Sequence, residues 1–210
     1  MTWLVTSAAK PPNFRLTSGI LILLPLLRFH LLVELSFMRW FWIDRFTDFV
    51  SGQCAKGLKN VSMDEEVVDG YWPDYPTLPS TLIIEGMAQL GGILVAEHHQ
   101  FEKQVVLAKV AKASFLRPAR NGDQLHYTVT LDSVQDLGAT VNAVSHCDGE
   151  LQAEVDLMFA FLEQGRFTDG PLFGPGDLRT MLRMMNFFSV AVDSEGKAVG
   201  KYPALCDEIS

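Results

Sequence analysis

Three cysteines in 210 residues, Cys54, Cys147 and Cys206, are too few and too widely spaced for a disulfide framework, and no CxxC pair marks a zinc knuckle. A reducing, cytoplasmic setting follows from that usage. Histidine is equally sparse. Of five, only His98-His99 stand together, and adjacent helical residues point in different directions, so no shared metal is expected. There is no phosphate-binding P-loop, no dinucleotide glycine turn and no GxSxG elbow, so no cofactor is expected. Basic charge is also short, at 17 Lys and Arg against 25 Asp and Glu for a net −8, which argues against nucleic acid as the principal partner. Nor is there an uninterrupted apolar run of membrane-spanning length. Residues 19–33 read GILILLPLLRFHLLV, broken by Pro25, Arg28 and His30, and no small-x-small cleavage site follows.

What is present divides the chain into residues 1–37, 38–163 and 164–210. Met38 opens the domain-like patterning, so the first segment is either an accessory helix or the product of a wrongly assigned start codon. With 48% hydrophobic residues, one ordinary core is affordable for the middle segment. Short strands are expected from Trp40 to Val50 and on to Val61, with a turn at Ser51-Gly52. GYWPDYPTLPS at 70–80 follows, and its three prolines forbid regular helix. Pro79 and Ser80 suit a helix start, with Ser80 a candidate N-cap. The helix runs from Ser80 to about Glu97, with Gly86, Gly91 and Gly92 admitting close backbone approach.

Four β-rich segments follow, at Val105–Phe115, Gln124–Val134, Ala139–His146 and Glu150–Leu162, the last two joined by an Asp-Gly hairpin turn. A long apolar helix in the concave face of an antiparallel sheet is the economical arrangement, and the class is α+β. The tail is expected to carry one amphipathic helix, Asp177 to Phe188, with Leu178, Met181, Leu182, Met184 and Met185 on its apolar side. Nothing is legible after Ala191.

Glu85 is the conspicuous residue, set in the apolar stretch LIIEGMAQL. Apolar residues surround the helix, so Glu85 is expected to be buried with it. Two readings stay open. Glu85 is either a structural carboxylate satisfied by backbone or lysine, or a poised acid for acid/base chemistry. From Lys103 to Asn121 there is no acidic residue, while Lys103, Lys109, Lys112, Arg117 and Arg120 are basic; this is either a solvated strand face or a dock for an acidic partner.

GYWPDYPTLPSTLIIEGMAQ at 70–89 resembles the signature of the β-hydroxyacyl-acyl-carrier-protein dehydratases, G-H-F-P-G-H/D-P-x-x-P-G-x-L-x-x-E-A-x-x-Q. Ile43-Asp44-Arg45, Lys59-Asn60-Val61-Ser62, Phe115-Leu116-Arg117-Pro118 and Gly122-Asp123-Gln124 resemble further family motifs in the same order. The resemblance covers about residues 39–162. It implies a hot-dog fold, with two central helices of a homodimer wrapped by a continuous sheet and an acyl tunnel at the subunit interface. It also implies an acyl carrier protein or coenzyme A thioester as partner. In that family each site is shared: a histidine takes the α-proton, a Glu or Asp from the other subunit's helix handles the departing hydroxyl, and N–H groups at the helix start support the thioester carbonyl.

Carried over, Glu85 matches the acid, Ser80 stands at the carbonyl-supporting glycine, and Tyr71 stands at the histidine. Tyr75 falls at the family's second His or Asp, and Asp74 lies beside it as an auxiliary group. Lys109, Lys112, Arg117 and Arg120 are the carrier-docking candidates. Tyrosine, with a reference pKa near 10 against about 6.5 for histidine, is a poor base at neutral pH. Three functions are therefore weighed: a dehydratase acting through Glu85, or through Glu85 with water or Asp74 and the aid of Tyr71; a hot-dog thioesterase; and a non-catalytic acyl-binding subunit, alone or in a heterodimer with a histidine-bearing homologue.

Overall fold

A computed structural model describes residues 41–65, 76–162, 175–200 and 202–205. The polypeptide pairs early. Strands β1 (Arg45–Val50) and β2 (Cys54–Asn60) form an antiparallel hairpin about Ser51-Gly52, where Gly52 takes a φ of 65°. A two-residue strand β3 (Thr77–Leu78) leads through Pro79 into helix α1 (Ser80–His98). Then come β4 (Gln104–Phe115), β5 (Ala119–Arg120), β6 (Gln124–Gln135), β7 (Gly138–Cys147) and β8 (Glu150–Leu162). The β7–β8 turn is the expected Asp148-Gly149, both residues at positive φ (54° and 80°) as a type I′ hairpin requires.

With β9 (Ala191–Val192) from the tail, the seven-stranded sheet runs in the order β4-β8-β7-β6-β2-β1-β9 and wraps one side of α1, so the expected α+β arrangement is the one found. A separate antiparallel pair, Thr77 with Arg120 and Leu78 with Ala119, ties the entrance of α1 to the loop after β4. Ile83, Met87, Leu90 and Leu94 of α1 are buried against the inward residues of the sheet, Leu125, Tyr127 and Val129 of β6 among them. Full burial of one such leucine contributes roughly 1.5–3 kcal/mol. Two glycines set the helix-to-sheet distance. A Cβ at Gly86 would stand 2.6 Å from the Trp42 carbonyl oxygen, and one at Gly91 would stand 3.2 Å from Val141.

The tail differs from expectation. Its helix is two pieces, α2 (Pro175–Met184) and α3 (Phe187–Val190), because Asn186 adopts a left-handed φ of 63°. Leu182 and Met185 are buried, but Met184 is 71% exposed and does not join the apolar side. Beyond residue 190, Ala191, Tyr202 and Leu205 also join the core. Strand β9 (Ala191–Val192) pairs in parallel with β1, while Tyr202 and Leu205 are buried. Phe187, Phe46, Phe49, Phe101 and Tyr202 form one edge-to-face cluster. No helix among the described residues is long and apolar enough to cross a membrane.

Candidate functional site

Helix α1 begins without a side-chain cap. Pro79 occupies the N-cap position, so the serine-cap expectation is corrected: Ser80 is the first helical residue and is exposed. The Pro79 carbonyl accepts from Leu82 N–H at 2.9 Å and Ile83 N–H at 3.3 Å. The N–H groups of Ser80 and Thr81 therefore have no acceptor within the helix, and they lie at the positive end of its dipole. Such an end favours developing negative charge on an oxygen.

Glu85 lies one turn further along and is exposed, not buried. The physical reason is one-sided cover. The sheet buries the Ile83, Met87, Leu90 and Leu94 side, whereas Thr81 and Glu85 face outward and Ile84, Gln89, Gly92 and Ala96 are only half-buried. Composition all round the helix foretold cover all round, but within a single chain the covering stops at one face. Glu85 is nevertheless held. Its Oε1 accepts from Gln89 Nε2 at 3.0 Å, and Gln89 Oε1 accepts the main-chain N–H of Trp42 at 2.9 Å. Because a backbone N–H can only donate, the amide oxygen of Gln89 must face Trp42 and its NH2 must face Glu85. Gln89 was not singled out from sequence, although its i+4 spacing from Glu85 is the signal for such a pair.

Tyr71, Asp74 and Tyr75 lie outside the described residues. The basic candidates separate. Lys109 and Lys112 are exposed on β4, Lys112 standing 3.8 Å from Glu154. Arg117 is half-buried and meets Asp123 at 3.0 Å and Asp148 at 3.8 Å. Arg120 is exposed, and its main-chain N–H donates to Asp123 at 2.8 Å. Asp123, Cys147 and Asp148 approach within 4.8 Å of one another, and the guanidinium of Arg117 lies against both carboxylates and offsets one of their two charges.

The buried carboxylate of α1 is Glu97, which sequence reading missed. It is 1% exposed and accepts from Ser51 Oγ at 2.8 and 3.0 Å and from Tyr202 OH at 2.9 Å. Burial and the Glu97 charge push the Tyr202 hydroxyl pKa well up, keeping it a donor. These bonds join the β1–β2 turn, the helix end and the tail.

An antiparallel sheet curled over one long central helix is the hot-dog fold. A solved protein of Streptococcus mutans, determined bound to acetyl CoA, shares it with a TM-score of 0.50 and 12% identity, over 60% of this chain and 94% of that one. The chain belongs to the FabA-like domain family, matched over residues 38–158. It is 38% identical to a 3-hydroxyacyl-(acyl-carrier-protein) dehydratase FabZ of Pelotomaculum thermopropionicum, over 56% of this chain and 85% of that relative. Its identity to the FabZ of Bacillus subtilis is 35%, over 58% of this chain and 86% of the relative.

Proposed function

We propose that this protein is a dehydratase of fatty-acid or polyketide biosynthesis, eliminating water from a β-hydroxyacyl thioester carried on an acyl carrier protein or coenzyme A. The observation that carries the reading is the carboxylate of Glu85, oriented by Gln89 one turn from a helix start whose N–H groups are unspent. The thioester carbonyl binds at the N–H groups of Ser80 and Thr81, which acidifies the α-carbon. Glu85 takes the α-proton; the electron pair of the broken C–H bond forms the Cα–Cβ double bond, and the Cβ–O bond breaks. Glu85 returns the proton to the departing hydroxyl, so water leaves and the carboxylate is restored. Tyr71, at the position of the family's histidine, is proposed as a hydrogen-bond donor to the substrate or to Glu85.

A homodimer in the cytoplasm completes this reading. Strand β4 ends the sheet order, carries exposed Leu107 and Val110, and offers an edge for a second copy, which would also cover the outward face of α1. Lys109, Lys112, Arg117 and Arg120 are the proposed carrier-docking residues. One observation favours a second reading: residues 70–80 contain no histidine, as befits a non-catalytic subunit paired with a histidine-bearing homologue. Product analysis separates the readings. Enoyl thioester from a β-hydroxyacyl substrate supports dehydration; free thiol means hydrolysis, and tight acyl-carrier binding without either product means a binding subunit.

A further inference from the structure

We propose that Lys59 is a positioning residue for Glu85, a buried ammonium that fixes Trp42 and, through the main chain of Trp42, the Gln89–Glu85 pair. The inference rests on the dehydratase reading. Lys59 sits on β2, where Gly57 pairs with Tyr127 and Lys59 with Leu125, so its side chain shares the inward face with two core residues of β6. That side chain is only 7% exposed. An ammonium in such a place must be paired. Its Nζ meets Glu65 Oε1 and stands 3.5 Å from Asp44 Oδ1. It also lies 5.8 Å from the centroid of the Trp42 ring, within cation–π range.

The seat is itself fixed. Asn60 donates to Asp44 Oδ2 through its main-chain N–H at 2.8 Å and its Nδ2 at 2.7 Å, and Gln124 Nε2 donates to Asn60 Oδ1 at 2.8 Å. Asp44 N–H bonds the Leu58 carbonyl at 2.8 Å. Trp42 and Asp44 thus belong to one short segment gathered around one cation. The same segment touches α1 just past Glu85: the Trp42 carbonyl lies against Gly86, and the Trp42 N–H holds Gln89. The Tyr127 ring packs on Gly86 as well, and burial together with the charges of Asp44 and Glu65 keeps its hydroxyl protonated.

Removing the ammonium leaves two carboxylates facing each other and releases the Trp42 ring. The Trp42 N–H then shifts, and the amide that sets Glu85 loosens. A displaced proton-transfer group lowers turnover more than substrate affinity.

The test compares wild type, Lys59→Met, Lys59→Arg and the charge-neutral pair Lys59→Met/Glu65→Gln in enoyl formation from a β-hydroxyacyl thioester, with the titration of Glu85 followed by carboxyl-carbon NMR. Expected is a kcat lower by about tenfold or more in both Met variants, with KM changed less than about threefold and substantial recovery in Lys59→Arg. Adding Gln89→Leu to Lys59→Met is expected to cost little further, because both act through one path. A folded Lys59→Met protein with wild-type kcat, or fully additive losses with Gln89→Leu, overturns the proposal. Should Lys59→Met not fold, the charge-neutral pair decides by the same kcat criterion. If wild type itself makes no enoyl product, the dehydratase reading fails and NMR decides alone: a moved Glu85 midpoint in the variant sustains the positioning role, and an unmoved one overturns it.

Discussion

Gln89 holds Glu85 from one helical turn away, its Nε2 donating to Oε1 at 3.0 Å while its own oxygen is fixed by the Trp42 N–H. One carboxylate oxygen is thereby occupied by a donor, and in the proposed mechanism Oε2 is the oxygen that exchanges a proton. Gln89→Leu keeps the helix and removes the clamp. Expected is a loss of about tenfold in kcat with KM little changed, read in steady-state enoyl formation. An unchanged kcat would mean that Glu85 needs no such support.

Gly86 is the closest point between α1 and the segment that carries Trp42. A methyl group there would fall 2.6 Å from the Trp42 carbonyl oxygen and 2.8 Å from a Tyr127 ring carbon. Neither can yield without moving the core. Gly86→Ala is expected to destabilise by about 1–3 kcal/mol in urea unfolding, despite alanine's better helix propensity. A stabilised variant would show that the contact is looser than described.

The amino-acid pattern made the strands and the helix readable, because alternation, the Asp148-Gly149 turn and the Pro79 start are local signals. It did not reveal which face of α1 lacks cover. An all-apolar helix reads the same whether its cover comes from its own sheet or from elsewhere, so Glu85 looked buried and is exposed. The Glu97–Tyr202 bond links residues 105 apart in sequence, and no periodicity records such a pairing. The break at Asn186 was equally silent, since asparagine tolerates helical and left-handed backbone alike. Gln89 could have been found from its spacing to Glu85.

Tyr202 tests how firmly the tail belongs to the core. Tyr202→Phe keeps the ring against Phe101 and Phe187 but deletes the donor to Glu97, leaving the buried carboxylate dependent on Ser51. Expected is a loss of about 1–3 kcal/mol in unfolding free energy. No measurable change would place the tail outside the cooperative unit.

His99 sets an acid limit on stability. Burial first, then the charges of Lys103 and His98, hold its pKa below the ordinary 6.5, and its ring meets Phe161 edge-on at 4.7 Å. The unfolded chain therefore takes up a proton near pH 6.5 that the folded chain refuses. This contribution is full above about pH 6.5 and is lost as pH falls from there through the folded-state value. Urea midpoints of wild type and His99→Phe at pH 7.5 and 5 are expected to show a smaller acid loss in the variant. Equal losses would assign the acid sensitivity to other groups.

Enoyl formation by wild type and Glu85→Gln, each shown folded, on a β-hydroxyacyl thioester of acyl carrier protein tests the role of Glu85 most directly. Glutamine keeps the shape and the contact to Gln89 but cannot take a proton. Expected is product from wild type and a fall of at least about a hundredfold in the variant. Equal rates would contradict the assignment of Glu85 as the proton-transfer group.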